Sequence, residues 1–188
     1  DARKVASKLD IPYYVLDYTE SFSKNVVDNF IDMYAQGLTP NPCVECNRSV
    51  KFDHFLNQAK KLNCEKVATG HYAKIIKNEN FYELHKADYL DKDQSYVLHM
   101  LKSDDLENIL FPLGEITKPE VRQIAARLGL KTAFKKDSQD ICFVGKKDYR
   151  SFVEKRIDLT SPGEIFDVNG NKVGNHNGIH EFTVGQRK

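Results

Sequence analysis

Apolar positions recur at helical spacing over several stretches of the chain, and short runs rich in β-formers separate them. Residues 1–9 set Ala2, Val5, Ala6 and Leu9 along a helical pattern that ends before Ile11-Pro12, because proline disfavours helix at the residue preceding it. Tyr13-Tyr14-Val15-Leu16-Asp17 then reads as a short buried strand. Ser21 or Ser23 is placed to cap a second helix with Val26, Val27, Phe30, Ile31 and Tyr34 on one face and Gly37 at its end. A third helix is expected over residues 47–62, burying Val50, Phe52, Phe55, Leu56 and Ala59. The strand Lys66-Val67-Ala68-Thr69 follows and ends in Gly70-His71.

Strand, helix, helix, strand with short links implies right-handed crossovers and a parallel sheet covered by helices. Ligands in such sheets bind beyond the carboxyl ends of the strands, which puts Gly70-His71 near a ligand crevice. Next come a hairpin (Ala73–Ile76 with Phe81–His85, turning at Asn78-Glu79-Asn80) and a helical stretch from Ser95 to Leu110. Thr117-Lys118-Pro119-Glu120 opens another helix with Val121, Ile124, Ala125 and Leu128 inward, closed by Gly129, and residues 147–156 give one more. From Ser161 the texture changes to short β segments around Pro162-Gly163 and Asn169-Gly170, the latter a strong hairpin signal. A domain boundary is expected there, with an α/β domain over residues 1–157 and the start of a small β-rich domain over 158–188.

Composition narrows the class. With 40% hydrophobic and 29% charged residues among 188, the chain has a globular make-up. No run approaches the roughly 18 apolar residues of a spanning helix, and no signal peptide opens it, so no membrane is expected. Four cysteines are too few for a secreted disulfide scaffold, which points to the reducing cytoplasm. The net charge of +1 gives no argument for nucleic acid, and pairs such as Lys135-Lys136 and Lys146-Lys147 read as solvated surface. The chain starts within a helical pattern without an initiator Met and stops at a turn-like Val184-Gly185-Gln186-Arg187-Lys188, so it is expected to be a segment of something larger.

Two cysteines carry the candidate chemistry. Asn41-Pro42-Cys43-Val44-Glu45-Cys46-Asn47 is a polar turn leading into the third helix, and Asp137-Ser138-Gln139-Asp140-Ile141-Cys142-Phe143 is a polar loop without helical or strand period. Cys43 and Cys46 admit three chemical readings beside a bland one as unreactive surface thiols: half of a zinc site completed by Cys64 and His71, a thioredoxin-like couple, or a nucleophile at Cys46 aided by helix N-terminal amides. Carboxylates beside Cys142 disfavour a thiolate, so its local reading is divided between packing and reactivity. His71 is placed either to contact a ligand or simply to pack. Lys92-Asp93-Gln94-Ser95-Tyr96 offers a cation, an acceptor, an amide and a ring, suited either to a phosphate and a base edge or to a helix cap.

Taken together, these residues resemble the tRNA-specific 2-thiouridylase family. The matching strings are Asn-Pro-Cys-Val-Glu-Cys-Asn at 41–47, Val-Lys-Phe at 50–52, Ala-Thr-Gly-His-Tyr at 68–72 and Lys-Asp-Gln-Ser-Tyr at 92–96. Lys-Lys-Asp-Ser at 135–138, Ile-Cys-Phe-Val-Gly at 141–145 and Val-Gly-Gln-Arg-Lys at 184–188 complete the set, in family order along nearly the whole chain. The resemblance implies an incomplete N-type ATP pyrophosphatase (adenine nucleotide alpha hydrolase-like) domain followed by smaller β-rich domains. It implies ATP, with Mg2+, adenylating O2 of the wobble uridine (position 34) in tRNAs for Lys, Glu and Gln, and sulfur then replacing that oxygen.

By the same resemblance Cys142 receives a persulfide from a sulfur-carrier protein or cysteine desulfurase, and Cys46 resolves it through a transient disulfide or assists its attack. Such a bond needs the two Cα atoms within about 7 Å. Gly70 would lie at the nucleotide, His71, Lys92, Asp93 and Gln94 would touch tRNA, and Asn41, Pro42 and Cys43 would line the target base, with no protein-bound metal. Some family members carry Asp where this chain has Cys43, so an acid–base role for that carboxylate does not transfer. The family's phosphate loop, Ser-Gly-Gly-Val-Asp-Ser, does not occur in residues 1–188, so the segment alone is expected to bind ATP weakly and to be inactive. Two alternatives stand beside this: a tRNA thiolase of the same superfamily with a metal or iron–sulfur centre at Cys43 and Cys46, and a non-enzymatic, zinc-stabilised RNA-binding module.

Overall fold

A parallel strand pair, Val67–Ala68 with Ile109–Leu110, anchors the first of two units into which the chain divides. The computed structural model describes residues 1–137, 140–145, 148–157 and 161–187. The first unit joins Asp1–Thr19 to Cys46–Asp137, and the second joins Glu20–Glu45 to the residues from 138 onward. Asn108 and Leu110 carbonyls accept the amides of Val67 and Thr69 at 2.9 and 3.1 Å, which fixes the register Val67 to Ile109. The helix Asp53–Lys61 lays Leu56 and Ala59 into the core beside this pair. The parallel α/β character expected of the chain is thus present.

Two sequence expectations fail in this unit. Residues 95–110 are not a helix: Ser95–Val97 is a 3-10 turn, Ser103–Leu106 a single α turn, and Ile109–Leu110 a strand. Pro112 disfavours helix at Phe111, and the buried, β-branched Ile109 gains more by pairing with Val67. Tyr13–Asp17 is not a strand either, and Tyr14 and Val15 are 67% and 71% exposed. A β-rich sequence without a neighbouring strand has no ladder to join, and none of the described strands pairs with it.

The remaining elements form where expected. Ala2–Leu9 is helical and closes on a left-handed Asp10. Ala73–Lys77 and Tyr82–Lys86 form the antiparallel hairpin, with Ala73 opposite Lys86. Gly114 lies so close to its first strand that a Cβ there would come 2.2 Å from the Ala73 carbonyl oxygen, so no other residue fits. Lys118–Arg127 starts with a complete capping box between Thr117 and Glu120 and with Pro in its first turn. Contrary to the inward stripe expected of it, no residue of this helix is fully buried, and Ile124 and Leu128 are exposed.

In the second unit helical residues Asn29–Ala35 follow a wider π-type stretch, Ser23–Asp28, and an opening turn, Thr19–Phe22. Asp17, rather than Ser21 or Ser23, caps that opening by accepting from the Thr19 amide and hydroxyl at 2.9 and 2.6 Å. Phe30, Ile31, Tyr34 and Val153 are buried together, and Ile141, Phe143, Val144, Tyr149, Phe152 and others pack on them. Phe143 meets Phe30 edge-on at 5.2 Å and Phe152 at 5.3 Å, while Tyr149 stacks on Tyr34 at 4.6 Å. Asp148 caps the helix Tyr149–Glu154. Gly163–Phe166 and Lys172–His176 form the hairpin foreseen from Asn169-Gly170, and Asp167 organises the turn by accepting the Asn169 and Asn171 amides at 2.8 Å each. The expected boundary between 157 and 158, the Ser138-Gln139 pair, Lys146-Lys147 and the terminal Lys188 lie outside the described residues or at their edge.

Phe30 is 1% exposed and central to this cluster. Replacing it with alanine removes a buried ring and its edge-on partners, so Phe30→Ala is expected to cost about 3–5 kcal/mol in urea unfolding. A loss below about 1 kcal/mol, the size of a surface change, would mean that these rings do not hold the second unit together.

Candidate functional site

Cys142 stands between two anchored neighbours. Ile141 and Phe143 pack into the aromatic cluster of the second unit, whereas Cys142 is exposed. The segment turns over itself, with the Val144 and Gly145 amides donating to the Ile141 carbonyl at 3.1 and 3.4 Å and Gly145 at φ 71°. The apolar neighbours therefore fix the backbone and leave the thiol in solvent. A packing cysteine would show the reverse pattern.

Asn41, Pro42 and Cys43 lie in the same unit. The Asn41 side chain accepts the Cys43 amide at 3.1 Å and its carbonyl accepts the Val44 amide at 3.2 Å, so Asn41 caps the helical turn Pro42–Glu45. Pro42 is buried, and Cys43 is exposed. The helix begins earlier than its sequence pattern suggested, because proline in a first turn forfeits no intrahelical hydrogen bond. Cys46 is thus one turn inside rather than at the N-terminal amides, and it opens a π-type stretch, Cys46–Phe52, in the first unit. Stretches of this kind recur at functional sites. None of Cys43, Cys46, Cys64 and Cys142 is in a disulfide, so the bond implied between Cys46 and Cys142 is not present. Among the described residues no group of three or more His, Cys, Asp or Glu gathers to hold a metal.

The other candidate residues belong to the first unit. Gly70 follows the strand Val67–Ala68 and is exposed, and a Cβ built on it meets only the Leu113 Cδ1 at 3.8 Å. His71 is 9% exposed and packs near Phe52 and Phe111, each ring centre 6.0 Å away. Its Nδ1 shares a 2.8 Å hydrogen bond with the Thr69 hydroxyl. Gln94 clasps Tyr72 twice, its side-chain oxygen accepting the Tyr72 amide at 3.1 Å and its amide donating to the Tyr72 carbonyl at 2.8 Å. Asp93 accepts from the Ala87 amide at 2.9 Å and the Ser95 hydroxyl at 2.7 Å. Burial pushes the Asp93 carboxyl up, yet these hydrogen bonds outweigh it and hold it below the usual range.

Lys92 leads to a feature the sequence did not reveal. Its ammonium lies 3.0 Å from Asp137, which also receives Lys118 at 3.1 Å and Arg122 at 3.5 Å. Hydrogen bonds from Lys92 and Lys118 hold the Asp137 carboxyl down at about 2. The spacing of Lys118 and Arg122, four apart on one helix face, was the only sequence signal, and nothing local joined it to Lys92 or Asp137.

Burial, aided by the nearby Lys51 charge, lowers His71 to about 4. A histidine whose folded value lies below its unfolded value near 6.5 contributes stability fully above pH 6.5 and loses it as pH falls toward 4. The His71 ring is expected to titrate near pH 4 by NMR; titration near 6.5 would contradict its packing in a neutral form.

Residues 1–146 match the family described as tRNA methyl transferase HUP domain, and residues 150–188 match the tRNA methyl transferase PRC-barrel domain. A tRNA-specific 2-thiouridylase MnmA of Rickettsia peacockii is 49% identical over 189 residues, covering 100% of this chain and 52% of its own length. That of Leptospira interrogans serovar copenhageni is 48% identical over 188 residues, covering 100% of this chain and 50% of its own. The chain spans about half the length of the curated relatives it matches. Both domain types matched in order, with relatives named tRNA-specific 2-thiouridylase aligned along the whole of this chain, show that it belongs to the family described as tRNA methyl transferase HUP domain.

Proposed function

We propose that this chain carries the sulfur-transfer machinery of a tRNA-uridine 2-sulfurtransferase acting on the wobble uridine, position 34. The observation that supports it most is the exposed Cys142 held between two partly buried neighbours, Ile141 and Phe143, that pack on the aromatic cluster. A sulfur acceptor must be reached by a donor protein and then by RNA, and a thiol fixed in place yet open to solvent suits both encounters. A thiolate at Cys142 takes the outer sulfur of a donor persulfide, releasing the donor thiolate. The persulfide's terminal sulfur is more acidic and more nucleophilic than a thiol, so Cys142 needs no strong activation of its own.

ATP, with magnesium on its phosphates, supplies the leaving group by adenylating O2 of the uridine. Gly70 offers an open backbone edge for the adenosine, whereas no Gly-rich amide turn for the phosphates occurs in residues 1–188. The Cys142 persulfide attacks C2, and AMP departs with the former O2. Cys46 then attacks the Cys142 Sγ, leaving sulfur on C2 and forming a Cys46–Cys142 disulfide, which a thiol reductant must restore. Asn41, Pro42 and Cys43 form the turn proposed to line the target base, with Lys92, Asp93 and Gln94 on the tRNA. Since Asp93 and Gln94 are engaged in holding their own loop, their proposed role is to present its backbone and Lys92. His71, nearly buried, is proposed to support the strand end beneath the ligands.

The partners that follow are tRNAs for Lys, Glu and Gln and a sulfur carrier or desulfurase. Methyl transfer is the second reading, favoured by the name of the matched domain family. It gives no role to two separated cysteines, one of them held out in solvent. In the whole protein Cys142→Ser is expected to lower 2-thiouridine formation at least a thousandfold while preserving tRNA-dependent pyrophosphate release from ATP. Normal 2-thiouridine in that variant would remove Cys142 as acceptor, and methylated uridine from the unsubstituted protein would favour the second reading.

A further inference from the structure

Three cations share one carboxylate in the first unit. Lys92, Lys118 and Arg122 reach Asp137 from two separate segments, the loop after Leu90 and the helix Lys118–Arg127, leaving two positive charges in excess. One cation suffices to neutralise a surface carboxylate, and crowding three around it adds like-charge repulsion. The three side chains remain 30–45% exposed, so they are open to a second anion. Tyr72 gives an independent indication. Its residue is 5% exposed, its hydroxyl has no hydrogen-bond partner among the described residues, and its charged neighbours are Asp137 and Arg122. The Lys118 ammonium stands 5.9 Å from the centre of its ring. A buried hydroxyl left without a partner costs free energy until an acceptor arrives.

The frame around these groups is stiff. Gln94, two residues beyond Lys92, is hydrogen-bonded twice to Tyr72, and Arg122 also donates to the Lys135 carbonyl at 3.3 Å. Asp137 thus acts as an internal placeholder that holds three flexible side chains in one orientation before the ligand binds, which lowers the entropy cost of ordering them. We propose that Lys118 and Arg122, preset with Lys92 by Asp137 and with the Tyr72 hydroxyl beside them, form a binding site for the phosphodiester backbone of the tRNA substrate. The site rests on the reading of tRNA as substrate and adds two residues to it. Arg122 supplies a planar donor fork and the lysines supply point charges, which together match a phosphate and carry no base information.

Affinity of the whole protein for a tRNA transcript, measured across a potassium chloride series, tests this. The double variant Lys118→Gln with Arg122→Gln is expected to bind about tenfold or more weakly at low salt, with a slope of log affinity against log salt shallower by about 1–2. Lys118→Arg with Arg122→Lys is expected to keep the slope. Asp137→Asn, which retains all three cations, is also expected to keep it. An unchanged slope in the double variant would overturn the site, and so would an equal collapse in Asp137→Asn, since the cluster would then serve the fold alone. Thermal unfolding of each variant reports any loss of fold, and Lys92 still pairs with Asp137 in the double variant. Strong salt-dependent binding without 2-thiouridine formation would sink the proposed reaction and leave this site standing.

Discussion

Packing of the partly buried Ile141 and Phe143 on the cluster around Phe30 is the constraint on which the exposed position of Cys142 depends. The turn that the Val144 and Gly145 amides close onto the Ile141 carbonyl sets Ile141, Phe143 and Val144 on the cluster and leaves the side chain of Cys142 exposed. Each edge-on aromatic pair contributes about 0.5–1.5 kcal/mol beyond area burial, and Phe143 makes two, with Phe22 and Phe30. The Cys142 thiol is held in place by energy invested in its neighbours, and not by contacts of its own. That arrangement suits a group which must bond to sulfur from one partner and deliver it to another.

The first unit does two other things: it leaves the residue after a parallel strand exposed, and it gathers three cations at Asp137. The parallel pair of Val67–Ala68 with Ile109–Leu110 fixes Gly70, and burial keeps His71 neutral just beyond it. Gln94 and Asp93 spend their polar groups on their own loop, which leaves Lys92 to meet Asp137. Polar side chains that look like ligand contacts in a sequence are here partly scaffolding for the cation next to them. The excess charge at Asp137 is local; a net charge of +1 for the whole chain conceals it.

Much of the fold was legible because local rules agreed with the tertiary context. Thr117 and Glu120 flank a proline at a helix start, and Asn169-Gly170 sits between β segments; both formed as their chemistry dictates. Ile109–Leu110 was not legible, because a short apolar run fits helix and strand equally and its partner, Val67–Ala68, lies far upstream. Tyr13–Asp17 has strand composition, but none of the described strands pairs with it. The candidate cysteines stand out by their polar settings, whereas the helix start at Pro42 does not, because Asn41 caps earlier than the apolar stripe begins. Asp137 and its cations draw on three distant stretches, so no window of sequence contains them.

Mass spectrometry of cysteine-containing peptides, after incubating the whole protein with a cysteine desulfurase and cysteine and blocking thiols, tests the central claim most directly. The account predicts the mass of one extra sulfur atom on the peptide bearing Cys142. Extra sulfur on Cys43, Cys46 or Cys64 with none on Cys142 would contradict it.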